Sequence, residues 1–275
     1  MLEFSMNQVT TLRWSLEQDV ENYCRAGYRS IGVWRHKLTE FDEEYAVDVL
    51  AASGLVVSNL ACAGGFTGLG GASFREGIDD TIAALRLAAR LQARCLLVHP
   101  GGRNNHTSRH ALRLLRAALD ELLPIAEHFE VPLTLEPMHV ACAASWTFLT
   151  DFDCVLELVR EYSTPYLKLA CDTYHFPWGD AGRDVLSEMV EHVGIVYLAD
   201  RRAPPSIDHE RCPLGRGRLP LTDILATLFE AGYHGPFDVR LMGPEIEQRD
   251  YMALLYQSRQ VFAELVQAST SRSLA

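Results

Sequence analysis

Apolar positions recur along the chain in two registers. Short β-branched or apolar runs stand at Leu2–Gln8, Ser30–Arg35, Leu55–Ala61, Cys95–Pro100, Pro132–Met138, Leu167–Asp172, Gly194–Asp200 and Phe237–Leu241. Longer segments of helical period lie between them, near Leu16–Ala26, Glu40–Ser53, Phe74–Leu91, Arg109–Phe129, Asp151–Tyr162, Arg183–His192, Leu221–Ala231 and Arg249–Ala268. This alternation predicts βα units around a parallel sheet. Eight such units in 275 residues favour an α/β fold, a single-domain closed (β/α)8 TIM barrel. The absence of a G-x-G-x-x-G after the first strand counts against a doubly wound dinucleotide fold. Punctuation agrees with the periodicity: Ser15-Leu-Glu-Gln18 reads as a capping box, and Gly27, Gly54 and Gly232 follow predicted helices.

No linker or low-complexity segment interrupts the pattern, so residues 1–268 read as one barrel and 269–275 as a loose C-terminal tail. A hydrophobic share of 48% against 22% charged supports a packed core and argues against disorder. The net charge of -11 repels polyphosphate, so no nucleic-acid partner is expected. Seven cysteines without a C-x-x-C pair suit reduced thiols rather than disulfides or structural zinc. Met1–Met6 has no basic stretch leading into an apolar one, and no uncharged run approaches the ~18 residues of a membrane helix. A soluble, cytoplasmic protein with no membrane partner is expected.

Barrel chemistry gathers at the C-terminal ends of the strands. Strand two ends in Trp34-Arg35-His36, strand four in His99-Pro-Gly-Gly102, and strand five in Glu136-Pro-Met-His139. Strand six ends in Asp172-Thr-Tyr-His175, strand seven in Tyr197-Leu-Ala-Asp200, and strand eight carries Arg240. Six strands thus deliver polar or aromatic groups to one face.

Leu135-Glu136-Pro137-Met138-His139 resembles the L-E-P-x-H segment of the sugar-phosphate isomerase/epimerase-like family of xylose isomerase-type barrels. Cys171-Asp172-Thr-Tyr-His175 resembles its D-x-x-H segment. Gly215-Arg-Gly217 and Ala231-Gly-Tyr-His-Gly-Pro236 resemble its G-x-G and G-Y-x-G-P signatures, and the resemblance extends from Asn7 to Leu265. It implies a divalent ion, commonly Mn, Mg or Zn, held by Glu, Asp, His and Glu from strands five to eight. Such an ion polarises a sugar carbonyl while carboxylates move the proton. Glu136 and Asp172 match the first two ligands. The other two positions depart from the pattern, with Tyr197 in place of histidine and Arg240 in place of glutamate.

Arginine is always charged and accepts nothing. Two unit charges ~4 Å apart interact by roughly 4 kcal/mol at an effective dielectric of 20, so Arg240 would repel a dication. It is expected to pair with Glu136 and Asp172 instead, leaving no metal in the site; the alternative is a weakly bound Mn, Mg or Zn on those two carboxylates.

Two readings follow. In one, the barrel is a divergent isomerase acting on a sugar, sugar phosphate or sugar acid by single-base isomerisation or dehydration. Its base would be Glu136 or His175, its proton donor Tyr197, and Arg240 would stand in for the metal beside Asp172. Trp34, His99, His139, Asp200 and Arg216 are then the substrate-binding candidates. In the other, Arg240 plugs a dead metal site and the barrel is a binding or partner subunit. Cys62 and Cys142 lie near strand ends without a paired base in view, and the glycine-rich stretch Ala63–Gly71 suggests a flexible lid. The apolar positions Met252, Leu255, Val261 and Leu265 of the last helix fit barrel packing or a homodimer face equally.

Overall fold

The computed structural model describes residues 2–39 and 41–272. Eight parallel strands close into one barrel in sequence order: β1 (Phe4–Asn7), β2 (Ser30–Trp34), β3 (Val56–Gly64), β4 (Leu96–His99), β5 (Leu133–Leu135), β6 (Leu167–Asp172), β7 (Val193–Leu198) and β8 (Phe237–Val239), with β1 pairing β8. The predicted helices surround it. Short additional helices at Arg35–Leu38, Val140–Ala143 and Pro244–Glu247 follow strands β2, β5 and β8, and these were not visible in the periodicity because each is a single turn.

Local chemistry sets the helix ends. Ser15 accepts from the Gln18 backbone while the Gln18 side chain reaches back to Ser15, the predicted capping box. Gly54 closes its helix at φ +70°, where a side chain would be strained. The last helix runs from Tyr251 to Arg272. Helix therefore continues through Ser269–Arg272, where a loose tail was expected, and Ser269 is fully buried; residues 273–275 lie outside the described residues. Leu255 of this helix is buried, and Met252, Val261 and Leu265 pack against the core, so the apolar stripe serves barrel packing.

Inside the barrel the register brings polar groups into layers. Asp172 pairs with Tyr197 across β6 and β7, and Tyr197 pairs with Asp238 across β7 and β8. The Asp238 carboxylate accepts from Ser5 Oγ at 2.7 Å, Asn7 Nδ2 at 2.6 Å and Asn59 Nδ2 at 2.7 Å. Gly32 leaves the room for this cluster, since a Cβ there would lie 2.3 Å from Asp238 Oδ2. The predicted lid is instead tied down: Phe66 is buried, and the Thr67 carbonyl meets Asn104 Nδ2 at 3.0 Å and His106 Nε2 at 3.1 Å. No described helix is long and apolar enough to cross a membrane.

Candidate active site

The ends of β5, β6 and β8 place Glu136, Asp172 and Arg240 side by side, with both carboxylates fully buried. Arg240 Nη2 donates to Glu136 Oε1 and, at 2.5 Å, to Asp172 Oδ2; its Nη1 donates to Glu136 Oε2 at 3.2 Å. His99 Nε2 bonds the same Glu136 Oε2 at 2.8 Å. Arg211, from the long loop after β7, donates to Asp172 Oδ2 at 2.8 Å and lies over the Tyr174 ring. Tyr174 N donates to Asp172 Oδ1 at 2.8 Å. Buried charges persist only when paired and bonded in this way.

Titration follows from this packing. Burial alone would raise Glu136, but Arg240 and His99 hold it well below the usual carboxylate range. Burial opposes ionisation of Asp172 too, and Arg211 and Arg240 outweigh it, leaving the carboxyl lowered. For His99 burial disfavours the charge, yet Cys62 and Glu136 push its pKa up to about 9. His175 behaves oppositely: burial drives it down to about 3 despite Asp172 nearby. The Cys62 thiol is lowered because His99 beside it outweighs burial.

A cavity of about 90 Å³ opens in front of Arg240. Trp34, Cys62, His99, His175, Arg211 and Arg240 are among the residues lining it. Of the residues singled out from the sequence, Trp34, His99, His175 and Arg240 meet at this cavity, and Glu136 and Asp172 lie directly behind Arg240.

The remaining candidates fall elsewhere. Tyr197 is fully buried beneath Arg240 and donates its hydroxyl to Asn59 Oδ1 at 3.1 Å. It does not line the cavity, and its hydroxyl is spent on Asn59, so it is not placed to give a proton to a molecule bound there. Glu136 is a poor base, since Arg240 and His99 occupy its oxygens. His139 uses its Nδ1 to accept from Ala141 N at 3.2 Å, capping the short helix that follows. Asp200 accepts from the backbone of Arg201, Gly217 and Leu219 at 2.8, 2.8 and 3.1 Å. It pins the loop, and a Cβ at Gly217 would sit 2.1 Å from its Oδ1. Arg216 is exposed and lines a separate surface groove beside the last helix.

Sequence reasoning missed Arg211, Trp146 and His209, all of which line the cavity. It also discounted Cys62, whose base is His99, supplied from a neighbouring strand that spacing alone does not bring near. A charged loop such as Asp208-His-Glu-Arg211 gives no sequence signal for one buried arginine.

The cluster has some features of a metal centre. Ligand atoms of Glu136, Asp172 and His175 all lie within 4.8 Å of one another. A dication nevertheless does not fit, because Arg240 Nη2 donates to both carboxylates from the side an ion would occupy.

A closed eight-stranded parallel barrel with buried acidic, basic and imidazole groups at its C-terminal mouth defines an enzyme-type (β/α)8 barrel. The chain belongs to the xylose isomerase-like TIM barrel family, whose model matches residues 20–258. Protein SMc04130 from Sinorhizobium meliloti 1021 is 22% identical with a TM-score of 0.87, over 96% of this chain and 98% of that one. The IOLI protein with a bound zinc atom is 18% identical with a TM-score of 0.84, over 97% and 98%. L-ribulose 3-epimerase is 18% identical with a TM-score of 0.81, over 99% and 97%. At these identities the likeness shows the fold. No curated protein matches the sequence.

Proposed function

We propose that the chain is a metal-independent enzyme of the isomerase/epimerase superfamily that moves a proton next to the carbonyl of a small molecule, with sugars, sugar phosphates and sugar acids as the first class to test. One observation carries this reading: Arg240 bridges Glu136 and Asp172, yet a cavity remains in front of it whose walls hold Cys62, His99 and His175. Symmetric epimerisation needs two bases on opposite faces, and Glu136 and Asp172 are both engaged by guanidinium groups. A single-base path uses Cys62 and His99 instead. The Cys62 thiolate takes the proton from the carbon beside the carbonyl as the His99 imidazolium gives one to the carbonyl oxygen, and the enediol collapses by the reverse transfers at the neighbouring carbon. Arg240 and Arg211 supply fixed positive potential for the developing oxyanion.

The test is solvent exchange. Ribulose, xylulose and gluconate incubated with the protein in D₂O are followed by proton NMR, with and without EDTA. Deuterium is expected beside the carbonyl of a ketose, undiminished by EDTA and absent with Cys62→Ala. Exchange abolished by EDTA would refute the metal-independent reading.

A second reading, a non-catalytic binding barrel, is favoured by one observation: all four oxygens of Glu136 and Asp172 already accept hydrogen bonds. Ligand binding without exchange for any compound would support it.

A further inference from the structure

The cavity in front of Arg240 is walled by Trp34, Leu97, Met138, Trp146 and Met242. Its volume of about 90 Å³ is small beside the roughly 300–1,000 Å³ of pockets for drug-sized ligands, so the occupant is small. Apart from the Cys62 sulfur, which His99 faces, the polar groups at this apolar wall are one-sided. His175 is 3% exposed, and its Nδ1 accepts the His139 backbone N–H at 3.4 Å. That bond assigns the ring hydrogen of the neutral imidazole to Nε2, which has no partner among the described residues. Arg211 and Arg240 are 3% and 6% exposed, and each keeps an Nε–H without a partner among those residues.

Acceptors are scarce by comparison. The oxygens of Glu136 and Asp172 are taken, and Asn7 turns its amide nitrogen to Asp238 and its oxygen to Val9 N. A sugar hydroxyl donates as well as accepts, so a polyol would leave its own donors unmatched against tryptophan and methionine side chains. A carboxylate accepts only, and it matches buried arginine and imidazole donors.

We infer that the cavity takes a small carboxylate with an apolar body, a short branched or aromatic acid or its 2-oxo relative, in preference to a polyhydroxylated sugar. The carboxylate accepts from His175 Nε2 and Arg211, and the apolar body packs between Trp34 and Trp146. This inference rests on the proposed function only in taking the same cavity as the ligand site; binding is measured apart from turnover.

The experiment is a titration by calorimetry and thermal shift with acetate, isobutyrate, 2-oxoisovalerate and benzoate, against isobutyramide, benzamide and xylulose. The acids are expected to bind and raise Tm in a concentration-dependent way, while the amides leave it unchanged and xylulose raises it only at higher concentration. His175→Phe, checked for native circular dichroism, should weaken acid binding at least about tenfold, the scale of one lost charge-assisted hydrogen bond. Trp146 is 45% exposed, so Trp146→Ala spares the core; it should weaken benzoate while leaving acetate binding unaltered. Xylulose binding as tightly as the acids, or acid binding indifferent to both substitutions, would overturn the inference. Ketose exchange in D₂O without acid binding would sink this inference and keep the proton-transfer reading. Acid binding with no exchange in any compound would do the reverse.

Discussion

The guanidinium carbon of Arg240 lies 3.7 Å from the centroid of the Tyr197 ring. These are the two positions at which the chain departs from the ligand set that its family resemblance implies, and they stack on one another. The ring offers its negative face to a cation already held by Glu136 and Asp172, an arrangement worth ~2 kcal/mol or more when desolvated. The two departures form one structural unit.

Removing the cation tests that unit. Arg240→Ala leaves two buried carboxylates without their shared partner and is expected to destabilise the fold by roughly 3–5 kcal/mol. Arg240→Lys should recover only part of this, because a single ammonium cannot fork between two carboxylates. Urea denaturation reads both, and a loss below about 1 kcal/mol for the alanine variant would show that the cluster does not hold the barrel mouth.

Metal affinity should be absent until the unit is reversed. The wild-type protein is expected to carry well under one equivalent of any divalent ion by elemental analysis. Tyr197→His combined with Arg240→Glu should create metal-dependent stability, about 2.7 kcal/mol at a hundredfold excess over Kd, seen as a thermal shift with Zn or Mn. A stoichiometric ion in the wild-type protein would contradict the fit argued from Arg240.

The two cavity histidines should titrate at opposite extremes. His99, pushed up to about 9 by Cys62 and Glu136 against its burial, stays protonated through neutral pH. Because its folded value exceeds its unfolded one, it contributes stability that is complete below about pH 6.5 and lost as pH rises through about 9. His175, driven down to about 3 by burial, should show no titration of its C2 proton between pH 5 and 8. NMR titration with single-histidine variants assigns each signal.

Asp238 gives the acid limb its own sign. Burial raises its carboxyl to about 6, with the bonds from Asn7, Ser5 and Asn59 only partly offsetting that. A carboxyl raised in the folded state binds its proton more tightly there than in the unfolded chain. Its contribution is therefore full below about pH 4 and lost as pH rises to 6, amounting to ~3 kcal/mol for a shift of about two units. Asp238→Asn should flatten this component of the stability profile; an unchanged slope between pH 4 and 6 would place the titration elsewhere.

Thiol reactivity separates the cysteines. Cys62 is lowered by His99, whereas burial pushes Cys95 up to about 12 and Cys171 higher still. Iodoacetamide at pH 7.5 should modify Cys62 well before those two, and His99→Gln should slow it, with peptide mass spectrometry as the readout. Equal rates for Cys62 and Cys95 would disprove the pairing.

Much of this architecture was legible in the sequence because strands of a closed parallel barrel are buried on both faces and so stand out as apolar runs. Glu136, Asp172 and Arg240 were legible for a different reason: opposite charges carried to one barrel mouth have to meet. Tyr197 was misplaced because its depth in the barrel is set by register with Asp238 on the neighbouring strand, which the period of a single strand does not encode. Arg211 stayed hidden because its loop places it by long-range contact with Asp172 and Tyr174, which no local period encodes. Asp200 was taken for a substrate ligand, although its position before Gly217 serves the loop backbone.

Beneath the guanidinium, the Tyr197 hydroxyl rests on Asn59, which in turn holds Asp238. Changing Arg240 alone to glutamate would crowd three carboxylates together with only Arg211 and His99 to balance them, and changing Tyr197 alone to histidine would remove the ring under the guanidinium while still excluding an ion. The two changes are therefore expected to be non-additive, each single step costing more than the pair together. The barrel mouth thus behaves as a ratchet: from arginine with tyrosine, the way to a metal site leads across a valley that one substitution at a time does not cross.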